Sequence, residues 1–304
     1  MGTEEEKSHG VLLGFDFEDW NQLADRHVGV AAQNATGAPF KRQLAHVFEL
    51  LEELDARATF FLLGITAERS PALVEEILTR GHEVASHGYS HTRVYHQEPG
   101  EFRRDVERSI EVIEKMTGRR PLGYRAPAFS LNRDTPWAHE ILVELGFGYD
   151  SSYYDSPRIP HRVQPIPGAP YRLDLPTPTE LWEFPLAVWR LGRWSVPIGG
   201  GSYWRILPAS LIVRALHARA RAHQYSVLYF HPYDFDPELL RPQLPKSPSP
   251  AQVLKALHRL ARANPGRKRV PRSLRAAGRE FELLTYEDAY HRISDGPGTG
   301  QEAF

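Results

Sequence analysis

The 304-residue chain contains no cysteine. That excludes disulfides, thiolate zinc centres and cysteine nucleophiles, and leaves His, Asp and Glu as the metal-binding chemistry available. Charge of one dominant sign is also missing: a net charge of −1 and a pI near 6.9 create no global field, so electrostatics names no nucleic-acid or membrane partner. No hydrophobic run reaches the length of a membrane span, and the start, Met-Gly-Thr-Glu-Glu-Glu-Lys, is acidic and lacks the apolar core of a secretory leader. These absences set the expectation of a cytoplasmic protein with no integral membrane segment and no nucleic-acid partner. The glycine-rich stretch 196–204 lacks the Lys-Ser/Thr of a phosphate loop, so nucleotide binding is not expected from it. What is present, 41% hydrophobic and 25% charged residues, fits one large α/β domain or two small ones.

The densest chemistry lies between His82 and Thr92. His87 and His91 stand four residues apart just after the short apolar run Val84-Ala85. If the chain turns helical there, that spacing stacks both rings on one face, a turn apart, and suits the capture of one metal ion. Two imidazoles do not complete a hydrolytic site, which calls for a third protein ligand, often a carboxylate, and an open position for water. Acid is supplied near the start. The buried-strand run from Val11 breaks into Asp16, Glu18 and Asp19 within four residues. Asp16 and Glu18 share a face if the strand persists. Carboxylates at the carboxyl end of a parallel strand are costly unless they have a task; Asp19 alone reads as a solvated loop acid.

Between these motifs, helical and extended patterns alternate. Leu44, Val47, Phe48, Leu51 and Leu54 mark a helix from Pro39 to Asp55, and Ala58 to Leu63 a strand. Helices follow at Pro71 to Arg80, with Gly81 as its cap, and at about Pro99 to Thr117, stopped by Gly118. This order predicts a mostly parallel sheet. Arg125 sits where a strand breaks at Ala-Pro and is suited to pair bidentately with a carboxylate. A helix from Thr135 to Leu145 leads to a strand end carrying Asp150, and a helix from Pro208 to His223 to a strand ending in His231, closed by Pro232. The proline-dense stretch 157–179 reads as a long excursion over one rim. A helix around Gln252 to Ala263 precedes a basic run (Arg267, Lys268, Arg269, Arg272, Arg275), read as a solvated, mobile loop. Phe281 to Leu284 forms a last strand, followed by a helix from Thr285.

Taken in order, the acidic strand end, H-x-x-x-H, the Arg-x-Pro turn and the late strand with His resemble the polysaccharide deacetylase (NodB homology) family, also called carbohydrate esterase family 4, over about residues 10 to 235. Phe-Asp-Phe-Glu-Asp-Trp, Tyr-Arg-Ala-Pro-Ala-Phe-Ser, Leu-Trp-Glu-Phe-Pro, Gly-Gly-Gly-Ser-Tyr-Trp-Arg and Phe-His-Pro-Tyr-Asp look most like its exopolysaccharide and exosortase-associated branch. The resemblance implies a single-domain, distorted (β/α)7 barrel over 10–235. It leaves a disordered N-terminus over 1–9 and a C-terminal extension over 236–304 packed on the barrel. It further implies one divalent metal, usually zinc, and release of acetate from an N-acetylated amino-sugar glycan. On this pattern Asp16 is the general base, His87 and His91 are metal ligands, Arg125 holds Asp16, His231 is the general acid and Asp150 tunes that His. The commoner pattern has adjacent Asp-Asp, but Phe17 occupies the second place here, which points to Glu18, or to Asp19 after a sharp turn, as third ligand. Tyr89, Trp182, Tyr203 and Trp204 would offer faces to pyranose rings. Three other readings stand beside this one: an allantoinase-like C–N hydrolase on the same scaffold, a catalytically silent glycan-binding protein and, least favoured, a structural or nucleic-acid-binding protein resting on the run from Arg267 to Arg275.

Overall fold

The protein is described here from a computed structural model covering residues 9–20, 38–156, 159, 161–163, 165–192, 194–242 and 244–295. The expected N-terminal tail falls outside the described residues up to residue 8. His9 does not belong to it: the ring is buried and bonded to the His223 carbonyl and to Ser226.

The first strand, β1 (Gly10–Phe17), is buried along its whole length, as a strand covered on both faces must be. After it come α1 (Ala38–Glu53), β2 (Thr59–Leu62), α2 (Gly64–Arg69), α3 (Pro71–Thr79), β3 (Glu83–Ser86), α4 (Pro99–Thr117), β4 (Gly123–Tyr124), α5 (Trp137–Glu144) and β5 (Tyr149–Asp150). The second half contributes β6 (Tyr171–Arg172), β7 (Trp182–Glu183), the hairpin β8 (Trp189–Leu191) and β9 (Trp194–Val196), α6 (Gly201–Trp204), α7 (Ala209–Ala220) and β10 (Tyr225–Phe230). The chain then adds α8 (Pro250–Ala263), α9 (Arg269–Glu280), β11 (Glu282–Leu284) and α10 (Tyr286–Ser294).

Strands β10, β1, β2, β3, β4, β5 and β7 lie side by side in that order, every neighbouring pair parallel. Past β7 the chain bridges back to β10 at Leu186↔Val227 and Gly200↔Tyr229, which closes the sheet into the distorted seven-stranded (β/α) barrel. Strand alternation then sorts the side chains of β1. Val11, Leu13, Phe15 and Phe17 face outward into the layer shared with α1, α7 and α9. Leu12 faces inward among Phe61, Tyr149, Phe184, Val227 and Tyr286, so Gly14, Asp16 and Glu18 continue up the barrel interior. Gly14 is required there: a Cβ would stand 2.9 Å from the Arg125 guanidinium.

Several expectations change. The basic run is not a mobile loop but α9, whose Val270, Leu274 and Ala277 are buried against the barrel. Arg267 donates to the Tyr233 carbonyl and Arg275 pairs with Glu53. The proline-dense stretch, partly outside the described residues, holds β6, antiparallel to β7. The C-terminal stretch does more than cover the barrel, because β11 pairs in parallel with β1 and Tyr286 fills the barrel interior. Helix α2 and the β8–β9 hairpin carried no periodic signal long enough to be read.

Candidate active site and metal centre

The carboxyl ends of β1, β3, β4 and β10 deliver the predicted residues to one place. Asp16 and Glu18 are buried, and Glu18 Oε1 lies 2.8 Å from His87 Nε2 and 3.1 Å from His91 Nε2. Asp16 Oδ2 stands 4.0 Å from His87 Nε2 and 3.9 Å from His231 Nε2. Two groups of side chains are therefore close enough to hold an ion: Glu18 with His87 and His91, and Asp16 with Glu18 and His231. Asp19 belongs to neither, so among the described residues the carboxylate two positions after Asp16 converges on the imidazoles.

The imidazoles do not converge by the expected route. Residues 87–93 contain no helical turn; the chain bends back through Gly88 at φ +73° and His91 at φ +60°, left-handed conformations that cost a β-carbon residue such as His some strain. Asp105 on α4 holds the bend, accepting from the backbone N–H of Tyr89 (2.8 Å) and Ser90 (3.1 Å) and from the Ser90 hydroxyl. A Cβ at Gly88 would stand 2.9 Å from the same carboxylate.

Donor chemistry tests whether these residues suit a cation. His87 Nδ1 lies 2.8 Å from the Arg125 carbonyl, an acceptor, so that nitrogen carries the proton. The Nε2 lone pair of a neutral His87 is then aimed at a carboxylate oxygen. Two acceptors at that distance repel unless a second proton or a shared cation lies between them. Burial works to lower the His87 pKa, but the charge of Asp16 and the bond and charge of Glu18 outweigh it and raise it. Burial likewise works to raise Glu18, while the charge of His91 and the bonds from both imidazoles hold it well below the usual carboxylate range. A site that draws positive charge this strongly, built of two imidazole nitrogens and a carboxylate, matches the ligand preferences of a divalent ion such as zinc.

Arg125 is fully buried, which is expensive unless its charge is matched. One guanidinium N–H donates to Asp16 Oδ1 at 2.8 Å, and others to the Ser151 carbonyl, the Ser151 hydroxyl and the Tyr286 hydroxyl. Its plane lies 3.8 Å over the Phe61 ring. Tyr286 in turn donates its O–H to the Leu228 carbonyl. The expectation of one Arg–Asp pair thus grows into a chain that runs from the floor of the barrel to Asp16.

Asp150 does not meet the late histidine. On β5 it alternates with Ser151, which faces Arg125, and so points outward, bonded to His139 (3.2 Å) and Ser152. The acid beside His231 is Asp234, whose Oδ2 lies 3.7 Å from His231 Nδ1 and accepts the His231 backbone N–H. Burial lowers the His231 pKa, and the Asp234 bond with the charges of Glu18 and Asp16 more than offsets it. The proline turn after His231 brings a residue three positions on back over the ring, so the His-Pro-Tyr-Asp string itself held this signal. Gly201 makes room, since a Cβ there would lie 2.6 Å from Asp234. Of the aromatics, Trp204 is a core residue bonded to the Ile198 carbonyl and the Tyr89 ring is covered by Arg108; neither presents a face to solvent. The ring on the site is Tyr233, stacked on His231 at 4.6 Å.

Residues 36–149 match the polysaccharide deacetylase family model, and residues 151–270 match a domain of unknown function, DUF3473. A peptidoglycan deacetylase of Helicobacter pylori is 30% identical over 121 residues, 40% of this chain and 40% of that protein. A peptidoglycan-N-acetylglucosamine deacetylase of Bacillus cereus is 32% identical over 95 residues, 31% and 34% of the two chains. The chain thus spans well under half the length of these curated relatives. Among solved structures, a protein assigned as a polysaccharide deacetylase from Mycobacterium smegmatis superposes with TM-score 0.62 at 21% identity over 100% of this chain and 97% of its own. An allantoinase does so with 0.64 at 16% identity, over 97% and 94%; both show the fold. Residues 36–149 thus match the polysaccharide deacetylase (NodB homology) family model, within a chain whose barrel shares the fold of these solved structures.

Proposed function

We propose that the protein is a metal-dependent hydrolase that removes N-acetyl groups from an amino-sugar-containing oligosaccharide or polysaccharide, one of exopolysaccharide type, and releases acetate. The observation that carries this reading is the direct opposition of the His87 and His91 Nε2 atoms to Glu18 beside an Arg-held Asp16. Glu18, His87 and His91 are the residues we assign to hold one divalent ion, zinc by preference of the donor set. Such an ion, when bound, supplies Lewis acidity toward a carbonyl and lowers the pKa of water.

Asp16 has the role of general base. It accepts the proton of the attacking water as oxygen adds to the acetamide carbonyl, while Arg125 keeps it ionised and aimed. His231 donates a proton to the nitrogen as the C–N bond breaks, so that acetate and a free amine leave. Asp234 positions His231 for that transfer. Asp150 acts at a distance: through Ser152, which accepts the Ala126 N–H, it braces the turn carrying Arg125. In this reading residues 10–235 are the catalytic barrel and 236–304 an extension that supplies β11 and Tyr286. Acetate release from N-acetylated glycans, measured with zinc-loaded and chelator-treated protein, tests the proposal. Release that depends on the ion and vanishes in Asp16→Asn supports it; release unaffected by either overturns it.

A further inference from the structure

The near-zero net charge hides an asymmetry. Between residues 239 and 279 there are eleven Lys and Arg and no Asp or Glu, while the rest of the chain carries 26 basic and 38 acidic residues. The same stretch concentrates exposed apolar surface. Of the eight exposed large hydrophobic residues among those described, four fall here: Leu239 (63% exposed), Leu244 (41%), Leu254 (68%) and Leu257 (56%).

Helix α8 arranges these features on one side. Leu254, Leu257 and Ala261 are exposed along one strip, with Lys255, His258 and Arg262, also exposed, immediately beside it, as positions three, four and seven apart on a helix must be. The opposite side carries the buried Ala256 and Ala263, and Ala263 packs with Trp20, Tyr233 and Leu240. Within 239–279 the fold draws Arg267 inward, bonded to the Tyr233 carbonyl, and pairs Arg275 with Glu53 at the surface. The ion pairs of the described residues do not include Lys246, Lys255 or Arg262.

We propose that this outer face of α8, with residues 239–242 and 244–249 leading into it, docks on an anionic lipid bilayer. The pairing of residue types selects that occupant. A bilayer interface rewards leucines that enter the acyl boundary together with lysines and arginines that meet anionic headgroups. A nucleic acid or a soluble polyanion has no use for exposed leucines, and a nucleic acid is gripped through stacking aromatics, which this face does not present. The docking face backs directly onto Tyr233, which is stacked on His231, so docking would hold the mouth of the barrel beside the membrane surface. The inference stands on charge and exposure alone and does not depend on the reaction proposed above.

The test is co-sedimentation of the full chain with vesicles of phosphatidylcholine and with mixed phosphatidylcholine–phosphatidylglycerol vesicles. Binding is expected to the mixed vesicles only. Two variants, Leu254→Ser with Leu257→Ser and Lys255→Glu with Arg262→Glu, should each weaken it on the order of tenfold or more. Unchanged melting temperatures would show that both variants are folded. No binding to mixed vesicles overturns the proposal, as does equal binding to both vesicle types. Undiminished binding by the leucine pair, with full displacement by soluble polyphosphate, would assign the basic face to a soluble polyanion instead.

Discussion

Two buried clusters in this barrel are built from the same kinds of side chain, yet they differ in what they can do. Glu18, His87 and His91 form one; His139, Asp150 and Glu183 form the other, and in each the ligand atoms lie within 4.8 Å of one another. The first sits inside the barrel at its carboxyl end, where His91 and His231 remain 12% and 17% exposed, next to a buried guanidinium that fixes a further carboxylate. The second lies outside the strands under α5, with Asp150 and Glu183 fully buried. There, burial and then the charge of Asp150 push Glu183 well above the usual carboxylate range, a direction that favours a retained proton. Composition alone does not make a reaction centre; an open approach and a committed counter-charge do.

The sharpest way to break this contrast is to remove ligands from the open cluster. His91→Ala and Glu18→Ala should each abolish ion binding and lower acetate release by on the order of a thousandfold or more, with little loss of fold for the partly exposed His91. Arg125→Met comes next. It leaves Asp16 buried without its partner, which should cost about 3–5 kcal/mol of stability as well as activity, measured by denaturant unfolding. The sealed cluster should respond differently: Asp150→Asn is expected to cost about 1–3 kcal/mol through its bonds to His139 and Ser152 and leave ion content unchanged.

The smallest effect tests burial away from both clusters. His82 is buried against the rings of Phe48 and Phe60, with Nδ1 lacking a hydrogen-bond partner. Burial first, then the charges of Arg80 and Arg57, lower its pKa from 6.5 to about 4. Because the folded value lies below the unfolded one, the unfolded chain takes up the proton first as pH falls. Its share of stability is complete above pH 6.5 and is lost progressively toward pH 4. His82→Leu should flatten that part of the stability–pH curve in thermal melts from pH 7 to 4; an unchanged slope would place the acid sensitivity elsewhere.

Much of the site was legible because each motif ends a strand, and alternation along β1 alone separates Asp16 and Glu18 from Phe15 and Phe17. The spacing of His87 and His91 was legible too, but not its cause. A helix was expected, whereas a bend pinned by Asp105 from a distant helix brings the rings together, and no local pattern encodes that contact. Asp150 misled for a related reason: an acid at a strand end looks functional until its register shows that it faces outward. Tyr286 was invisible, since its hydroxyl reaches Arg125 across 161 residues. Helix α9 was mistaken for a loop because its charge masked the apolar stripe of Val270, Leu274 and Ala277.

The account rests on one cation held between Glu18, His87 and His91, and calorimetric titration of chelator-stripped protein with zinc measures that directly. It predicts one ion bound per chain, lost in His91→Ala and retained in Asp150→Asn. No binding by the stripped protein, or binding that survives His91→Ala and disappears in Asp150→Asn, would contradict it.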